Sequence, residues 1–292
     1  MDRFLYNYFI SHSMSAQDRF LKILSENSNK IVFIATHYDD FPLTLGGIAL
    51  WLKGGWDATS LTVCTLSQYV SPEYQKSHSH IPALTGGVKD ISENRIDYVT
   101  VKRQEEDQRC LAQLDVQWKY LNFLEAPLRG YGLAAHEMTY PAAEPGWILK
   151  EREFIQKLTE TLIPYMNQGL IIAPLGIGNH IDHRVVNLAA INAAISTKKR
   201  LFFAEDLPYA GVPEEQWGDA NLIIKNCGYF DIPIGLEKKL ALIEHYPSQV
   251  EPFYTEGVRK RALQIGQGRP KERIYYVEIS QLENIKESLL QT

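Results

Sequence analysis

Short runs of apolar, β-branched and aromatic residues recur along this chain, and segments with helical periodicity separate most of them. The first run, KIVFIAT at residues 30–36, is apolar after its lysine, which is typical of a strand covered on both faces. Similar runs follow at residues 59–67, 118–126, 169–176, 200–209, 221–232 and 273–280. Helical patterns lie at residues 41–55, 101–115, 152–169, 183–196 and 235–246. This alternation predicts an α/β fold with a Rossmann-like, doubly wound, mostly parallel sheet and helices on both faces.

No internal repeat and no low-complexity linker divides the sequence, so we expect a single domain over residues 1–292. Its core is expected to span about residues 30–250, with an N-terminal helical segment before it and a C-terminal extension after it. Residues 68–94 carry no regular pattern, which indicates a long functional loop or a partly disordered segment.

Charge and cysteine content argue against several classes of protein. The formal net charge is −5 and the basic residues are scattered, so no nucleic-acid partner is expected. No apolar run approaches the roughly 20 residues of a membrane span, and the N-terminal residues do not resemble a signal peptide. Three cysteines without a CxxC pair indicate reduced thiols. We therefore expect a cytoplasmic protein, and the sequence leaves its oligomeric state open.

Two of the predicted strands end in clusters of histidine and aspartate. His37, Asp39 and Asp40 follow the first strand, whereas HIDH at residues 180–183 follows the strand at 169–176 and precedes a helix. Ligands of open α/β sheets bind beyond the carboxyl ends of the strands, so both clusters can reach the same crevice. Imidazole and carboxylate groups are the ligands that zinc uses in catalytic sites. Each cluster alone is also compatible with a helix cap beside a solvated histidine, but the pair favours metal binding.

The same two clusters carry a resemblance to a known family. THYDDFPLTLGG at residues 36–47 resembles the Ala-His-Pro-Asp-Asp-Glu…Gly-Gly signature of the PIG-L (LmbE-like) N-acetylglucosaminyl deacetylases, and HIDH resembles their His-x-Asp-His motif. Weaker similarities lie at residues 101–116 and 239–249. The resemblance implies zinc-dependent hydrolysis of an N-acetyl group, a linear amide, from an N-acetylglucosaminyl-type amino sugar or its conjugate.

The resemblance also implies a role for each residue of the two clusters. One zinc ion per chain would be held by His37, Asp40 and His183. Three catalytic residues would be Asp39, as general base, His180, as the cation beside the developing oxyanion, and Asp182, which would hold the His180 ring. A zinc-activated water, deprotonated by Asp39, would attack the amide.

The sequence departs from the family pattern at several positions. Tyr38 and Phe41 replace the usual proline and glutamate, and the segment after the second strand, CTLSQYVSPEYQ, lacks the family's substrate-binding arginine. Glu125, at another strand end, is a candidate ligand for a sugar hydroxyl, whereas Arg103 and Glu106 are expected to form a surface pair.

These departures leave two alternatives open: a non-catalytic carbohydrate-binding protein on the same fold, and a zinc amidase for another N-acyl substrate. The sequence names neither the substrate nor the metal, zinc or iron, that is held in the cell.

Overall fold

The fold is built on one seven-stranded sheet. The computed structural model describes residues 14–81, 93–131 and 146–291. The strands are β1 (Lys30–Ala35), β2 (Asp57–Leu66), β3 (Val116–Leu124), β4 (Leu170–Pro174), β5 (Leu201–Ala204), β6 (Gly228–Pro233) and β7 (Lys271–Val277). Their order in the sheet is β3-β2-β1-β4-β5-β7-β6. The first five strands are parallel, and β7 runs antiparallel to both of its neighbours. The predicted mostly parallel α/β sheet is confirmed.

Helices cover both faces of this sheet. They are α1 (Ala16–Glu26), α2 (Asp40–Leu52), α3 (Pro72–Ser77), α4 (Glu93–Gln113), α5 (Trp147–Lys150), α6 (Arg152–Leu162), α7 (Ile181–Thr197), α8 (Ala220–Ile224), α9 (Leu236–Ile243), α10 (Pro252–Ile265) and α11 (Ile279–Leu290). Alternate residues of β1 explain the two layers, because successive side chains of a strand point to opposite faces. Val32 and Ile34 pack in the core that contains α6 and α7, whereas Ile31 and Phe33 pack in the core of α2 and α4.

All seven predicted strand segments contain a strand, but their limits differ. The run at 221–232 is wrong in its first half, where Ala220–Ile224 is helical and the strand begins only at Gly228. Within the segment predicted as a loop, residues 72–77 form a helix, and residues 82–92 lie outside the described ranges. None of the described helices is long and apolar enough to span a membrane.

The strand order places a crevice between β1 and β4. The chain leaves β1 toward β2 and β3 on one side, whereas it leaves β4 toward β5 on the other. In doubly wound sheets this reversal opens a ligand-binding crevice at the carboxyl ends of the two strands. Both polar clusters of the sequence follow these two strands, so the topology delivers them to one place.

Candidate metal centre and active-site cleft

The first cluster lies in the tight connection between β1 and α2. His37, Asp39 and Asp40 are each less than one-tenth exposed. Asp39 occupies the N-cap position of α2, yet its side chain makes no capping hydrogen bond. Asp40 instead accepts a hydrogen bond from the His37 backbone N–H, at 2.7 Å. The reading of this motif as a simple helix cap beside a solvated histidine therefore does not apply.

The second cluster follows β4 through a turn that requires glycine. Gly178 has φ +82°, and a Cβ at this position would lie 2.9 Å from the Cβ of Tyr209. The turn ends at His180, the N-cap of α7, whose Nδ1 accepts from the Asp182 backbone N–H at 3.2 Å. His183 follows in the first turn of α7, so this helix start brings both imidazoles to the crevice.

His37, Asp40 and His183 converge at the crevice, with one possible ligand atom from each within 4.8 Å of the others. Nδ1 of His37 lies 3.9 Å from Oδ2 of Asp40, and Nε2 of His183 lies 3.7 Å from Oδ1 of Asp40. The centroids of the two imidazole rings are 5.2 Å apart. Two imidazole nitrogens and one carboxylate form a donor set that suits zinc and leaves a coordination position for water.

A buried carboxylate that sequence reasoning missed orients one of these imidazoles. Oδ1 of Asp206 bonds Nδ1 of His183, and Oδ2 of Asp206 accepts from the backbone N–H of Ile177 at 2.9 Å. This leaves Nε2 of His183 directed at Asp40. Carboxylates commonly fix the tautomer of metal-binding histidines in this way. The available signal was positional, since Asp206 follows β5, the strand beside β4.

Asp182 forms a second group with His37 and His180, whose possible ligand atoms also lie within 4.8 Å of one another. Its carboxylate is already surrounded by donors: Arg129 NH1 at 2.6 Å, the Ala126 backbone N–H at 3.0 Å and Nε2 of His37 at 3.0 Å. Burial would raise the pKa of Asp182, but Arg129 and His37 outweigh it and hold the pKa well below its usual range. The group with Asp40 is thus the better metal site. Asp182 bonds the ring of His37, whereas the sequence analysis expected it to hold His180.

The pKa values of His37, Asp40 and His183 are compatible with metal binding by these three residues. Burial lowers the pKa of His37 to about 4 and raises the pKa of Asp40 to about 7. Burial would also lower the pKa of His183, but Asp40 and Asp206 outweigh it and raise the pKa to about 9. His37 is therefore neutral, whereas His183 carries a proton in the metal-free protein, which a cation bound at its Nε2 would displace.

Arg103 links Asp39 to Glu125 inside the cleft. The guanidinium donates from NH2 to Oδ1 of Asp39 at 3.3 Å, and from NH1 to Glu125 and to Oγ of Ser67, the latter at 2.7 Å. Arg103 and Glu106 are both buried, and Glu106 accepts from Ser248, so the expected surface pair is wrong. This arginine, from α4, supplies a cation to the cleft although the segment CTLSQYVSPEYQ has no arginine.

The cleft over these residues has a volume of about 400 Å³. Its described lining consists of His37, Asp39, Asp40, Leu43, Tyr69, Arg103, Glu125, His180, Leu207, Pro208, Tyr209, Gln249, Glu251, Phe253 and Tyr254. Glu125 is fully buried, and its Oε2 has no hydrogen-bond partner among the described residues. Aromatic side chains and unsatisfied polar atoms together are suited to a sugar-sized molecule.

Comparisons with known proteins find a relative in sequence and solved structures of similar fold. No protein-family model matches the chain. A 2'-N-acetylparomamine deacetylase from Streptomyces fradiae is 28% identical over 182 residues, and the match covers 62% of this chain but only 58% of the length of that relative.

Solved structures share the fold. A zinc-inhibited form of teicoplanin deacetylase superposes with a TM-score of 0.60 at 20% identity, over 85% of this chain and 97% of that one. The N,N'-diacetylchitobiose deacetylase from Pyrococcus horikoshii superposes with a TM-score of 0.53 at 16% identity, over 96% and 95%. The sequence relative is a deacetylase, in agreement with the resemblance of this chain to the PIG-L (LmbE-like) deacetylases, and the solved structures share its fold.

Proposed function

We propose that this protein is a zinc-dependent N-deacetylase that hydrolyses the acetamide of an amino sugar to a free amine and acetate. The convergence of His37, Asp40 and His183 beside the carboxylate of Asp39 carries the proposal. The deacetylase relative, which is named for an N-acetylated amino sugar, supports the reaction class. A zinc ion held by the three ligands would polarise the acetamide carbonyl and acidify a water molecule.

Asp39 and His180 are the proposed proton-transfer and oxyanion groups. Asp39 lies next to the ligand Asp40 but turns its carboxylate to Arg103 and the cleft. It would take a proton from the attacking water and return it to the leaving amine. His180 lines the cleft with its ring 5.1 Å from that of His37, between centroids. It would donate a hydrogen bond to the carbonyl oxygen as negative charge develops there.

Arg129 and Asp182 would act on the ligands rather than on the substrate. Asp182 accepts from Nε2 of His37, which directs the lone pair of Nδ1 toward Asp40. Arg129 neutralises Asp182, so a buried carboxylate can remain ionised behind the ligand. Glu125 would accept a hydroxyl or amine hydrogen from the sugar through its unpartnered Oε2.

Tyr38 and Phe41 do not favour the alternative of a non-catalytic carbohydrate-binding protein. Both side chains are fully buried, and neither lines the cleft. The Tyr38 hydroxyl donates to the backbone carbonyl of Thr65 at 2.8 Å, and Phe41 packs edge-on against Phe33 with 5.4 Å between centroids. These two departures from the family pattern therefore change the core beneath the loop and leave the proposed ligands in place.

The test is acetate release by purified protein, metal-free or loaded with one equivalent of zinc. Suitable probes are N-acetylglucosamine, N,N'-diacetylchitobiose and 2'-N-acetylparomamine, with N-acylated amino acids for the amidase alternative. We expect zinc-dependent acetate release from at least one sugar. Protein that binds zinc but hydrolyses only the acylated amino acids would establish the amidase instead, and protein that binds no zinc would refute the proposal.

A further inference from the structure

One carboxylate of the cleft has no positively charged partner among the residues that the structure describes. Asp39 and Glu125 both contact Arg103, and Asp40 belongs to the proposed metal site. Glu251 accepts one hydrogen bond, from the Tyr69 hydroxyl at 3.3 Å, and forms no ion pair with any described residue. A half-buried carboxylate that is not neutralised attracts a cation.

The position of Glu251 leaves its side chain available to a ligand. Glu251 is the N-cap residue of α10, but its carboxylate makes no capping hydrogen bond. The next two residues of the cleft wall are aromatic, since Phe253 and Tyr254 follow in α10 with their ring centroids 4.4 Å apart. With Tyr69, whose hydroxyl contacts the carboxylate, they add aromatic side chains to the lining of the same cleft. Aromatic faces pack against sugar rings and attract ammonium groups. The Glu251 carboxylate and the aromatic rings of the cleft therefore favour the same kind of ligand, a sugar that carries an ammonium group.

A second, independent feature also indicates a donor-rich ligand. Oε2 of Glu125 is a fully buried acceptor that lines the same cleft and has no partner among the described residues. Leaving such an acceptor unsatisfied is costly, which favours a ligand that brings an O–H or N–H to it. Acceptors at Glu125 and Glu251 suit a molecule with several donors.

We propose that Glu251 determines specificity by binding a free ammonium group of the substrate. The preferred substrate would then be an amino sugar conjugate that carries at least one unacetylated amine besides the acetamide that is hydrolysed. This inference rests on the proposed deacetylase function and narrows its substrate class from N-acetylated sugars in general to cationic ones.

A cationic and a neutral probe on the same scaffold test this proposal, and the Glu251 variant separates the effect of charge from that of the added acetyl groups. 2'-N-acetylparomamine carries free amines, whereas fully N-acetylated paromamine is the neutral molecule on the same scaffold. With the zinc-loaded full chain at low ionic strength, we expect kcat/KM to be at least about tenfold higher for the cationic probe, as expected for a charge-assisted hydrogen bond. Glu251→Gln, which keeps size and hydrogen bonding, should reduce the ratio of the two kcat/KM values toward one.

Glu256→Gln is the matched control, because Glu256 is an exposed carboxylate of the same helix outside the cleft. It should leave the ratio unchanged, and melting curves should show that both variants are folded. If the parent protein hydrolyses both probes equally, or if Glu251→Gln keeps the ratio of the parent, the proposal is wrong while the deacetylase function stands. If neither probe nor any other acetylated sugar releases acetate, the proposed function fails and this inference fails with it.

Discussion

Asp39 and Asp40 are adjacent in sequence but meet different surroundings. Asp40 opens α2 and faces the imidazole of His183, whereas Asp39 precedes the helix and contacts Arg103. Two neighbours on a helix start point in different directions, so one carboxylate can bind a metal ion while the other faces the substrate. The division of roles follows from local geometry, since the two side chains are chemically alike.

Replacing Asp39 by asparagine separates these two roles. We expect Asp39→Asn to lower kcat by about 10²–10⁴-fold, because the amide cannot accept the proton of the attacking water. Zinc content, measured by elemental analysis, should stay at one ion per chain, since the proposed ligands are unchanged. Asp97→Asn, at an exposed position of α4, is the control for both measurements. Hydrolysis by Asp39→Asn at the parent rate would show that another residue is the base.

Asp206 is not itself a proposed metal ligand, but it bonds the ring of one, His183. Because its carboxylate fixes the ring of His183, Asp206→Asn should weaken zinc binding by about 10–100-fold. Competition with a chromogenic chelator measures this affinity directly. Asp231→Asn is the comparison, since Asp231 pairs with Arg273 in β6 and β7, away from the cleft. Equal zinc affinity in the Asp206 variant and the parent would mean that the His183 ring is held by packing alone.

At the level of elements, α4 shows why part of the site escaped prediction. Arg103, Glu106, Asp107 and Cys110 lie on one face of the helix, with Glu106 and Asp107 three and four residues after Arg103, and all four are buried. Helical periodicity identifies a buried face by its apolar residues. Charged residues at the same spacing are therefore predicted to be exposed to solvent. Burial becomes possible because partners come from distant elements: Glu125 follows β3, and Ser248 follows α9. No local pattern encodes these pairs.

Local sequence patterns were sufficient for the elements whose structure depends mainly on residues that are neighbours in the chain. The continuous apolar runs predicted the central strands because these strands are covered on both faces, and the His/Asp clusters were placed by the ends of β1 and β4. Residues 221–224 were misread because a short apolar helix and a short apolar strand have the same composition. Asp206 and Glu251 were missed since each is a single carboxylate whose neighbours in sequence carry no motif.

Asp107 provides a pH test of this buried face. It accepts from the hydroxyls of Tyr246 at 2.8 Å and Tyr120 at 3.0 Å, and burial raises its pKa to about 8 from an ordinary value of 3.8. Between these two values the folded state keeps a proton that the unfolded state has lost, so this group makes the protein less stable as pH rises.

Asp107→Asn cannot ionise and should remove that dependence. The free energy of unfolding of the variant minus that of the parent should therefore be larger at pH 8 than at pH 5, by on the order of 1–3 kcal/mol. Urea unfolding of metal-free protein at both pH values measures the difference, and contributions from the other titrating groups cancel in it. Asp97→Asn should show no such change, and an equal offset for Asp107→Asn at both pH values would mean that Asp107 is ionised in the folded state.

At the level of the whole molecule, the proposed metal site joins segments that are far apart in the chain. The ligand His37 and Asp182, which bonds its ring, are separated by 145 residues, and the site lies at the crevice between β1 and β4. A ligand that binds only the folded state stabilises it by mass action. Zinc at about 100 times its dissociation constant would add about 2.7 kcal/mol, and for a chain of this size that raises Tm by about 4 °C.

Calorimetry with zinc and with chelator should therefore show this increase in the parent and in Asp39→Asn, which keeps all three proposed ligands. It should disappear in Asp40→Asn, because an amide is a poor substitute for the buried carboxylate between the two imidazoles. The two variants differ by one position and remove the same charge, so a general effect of zinc on the protein surface would shift both alike. An equal increase in both would place the ion elsewhere, and the deacetylase mechanism proposed for this cleft would lose its metal.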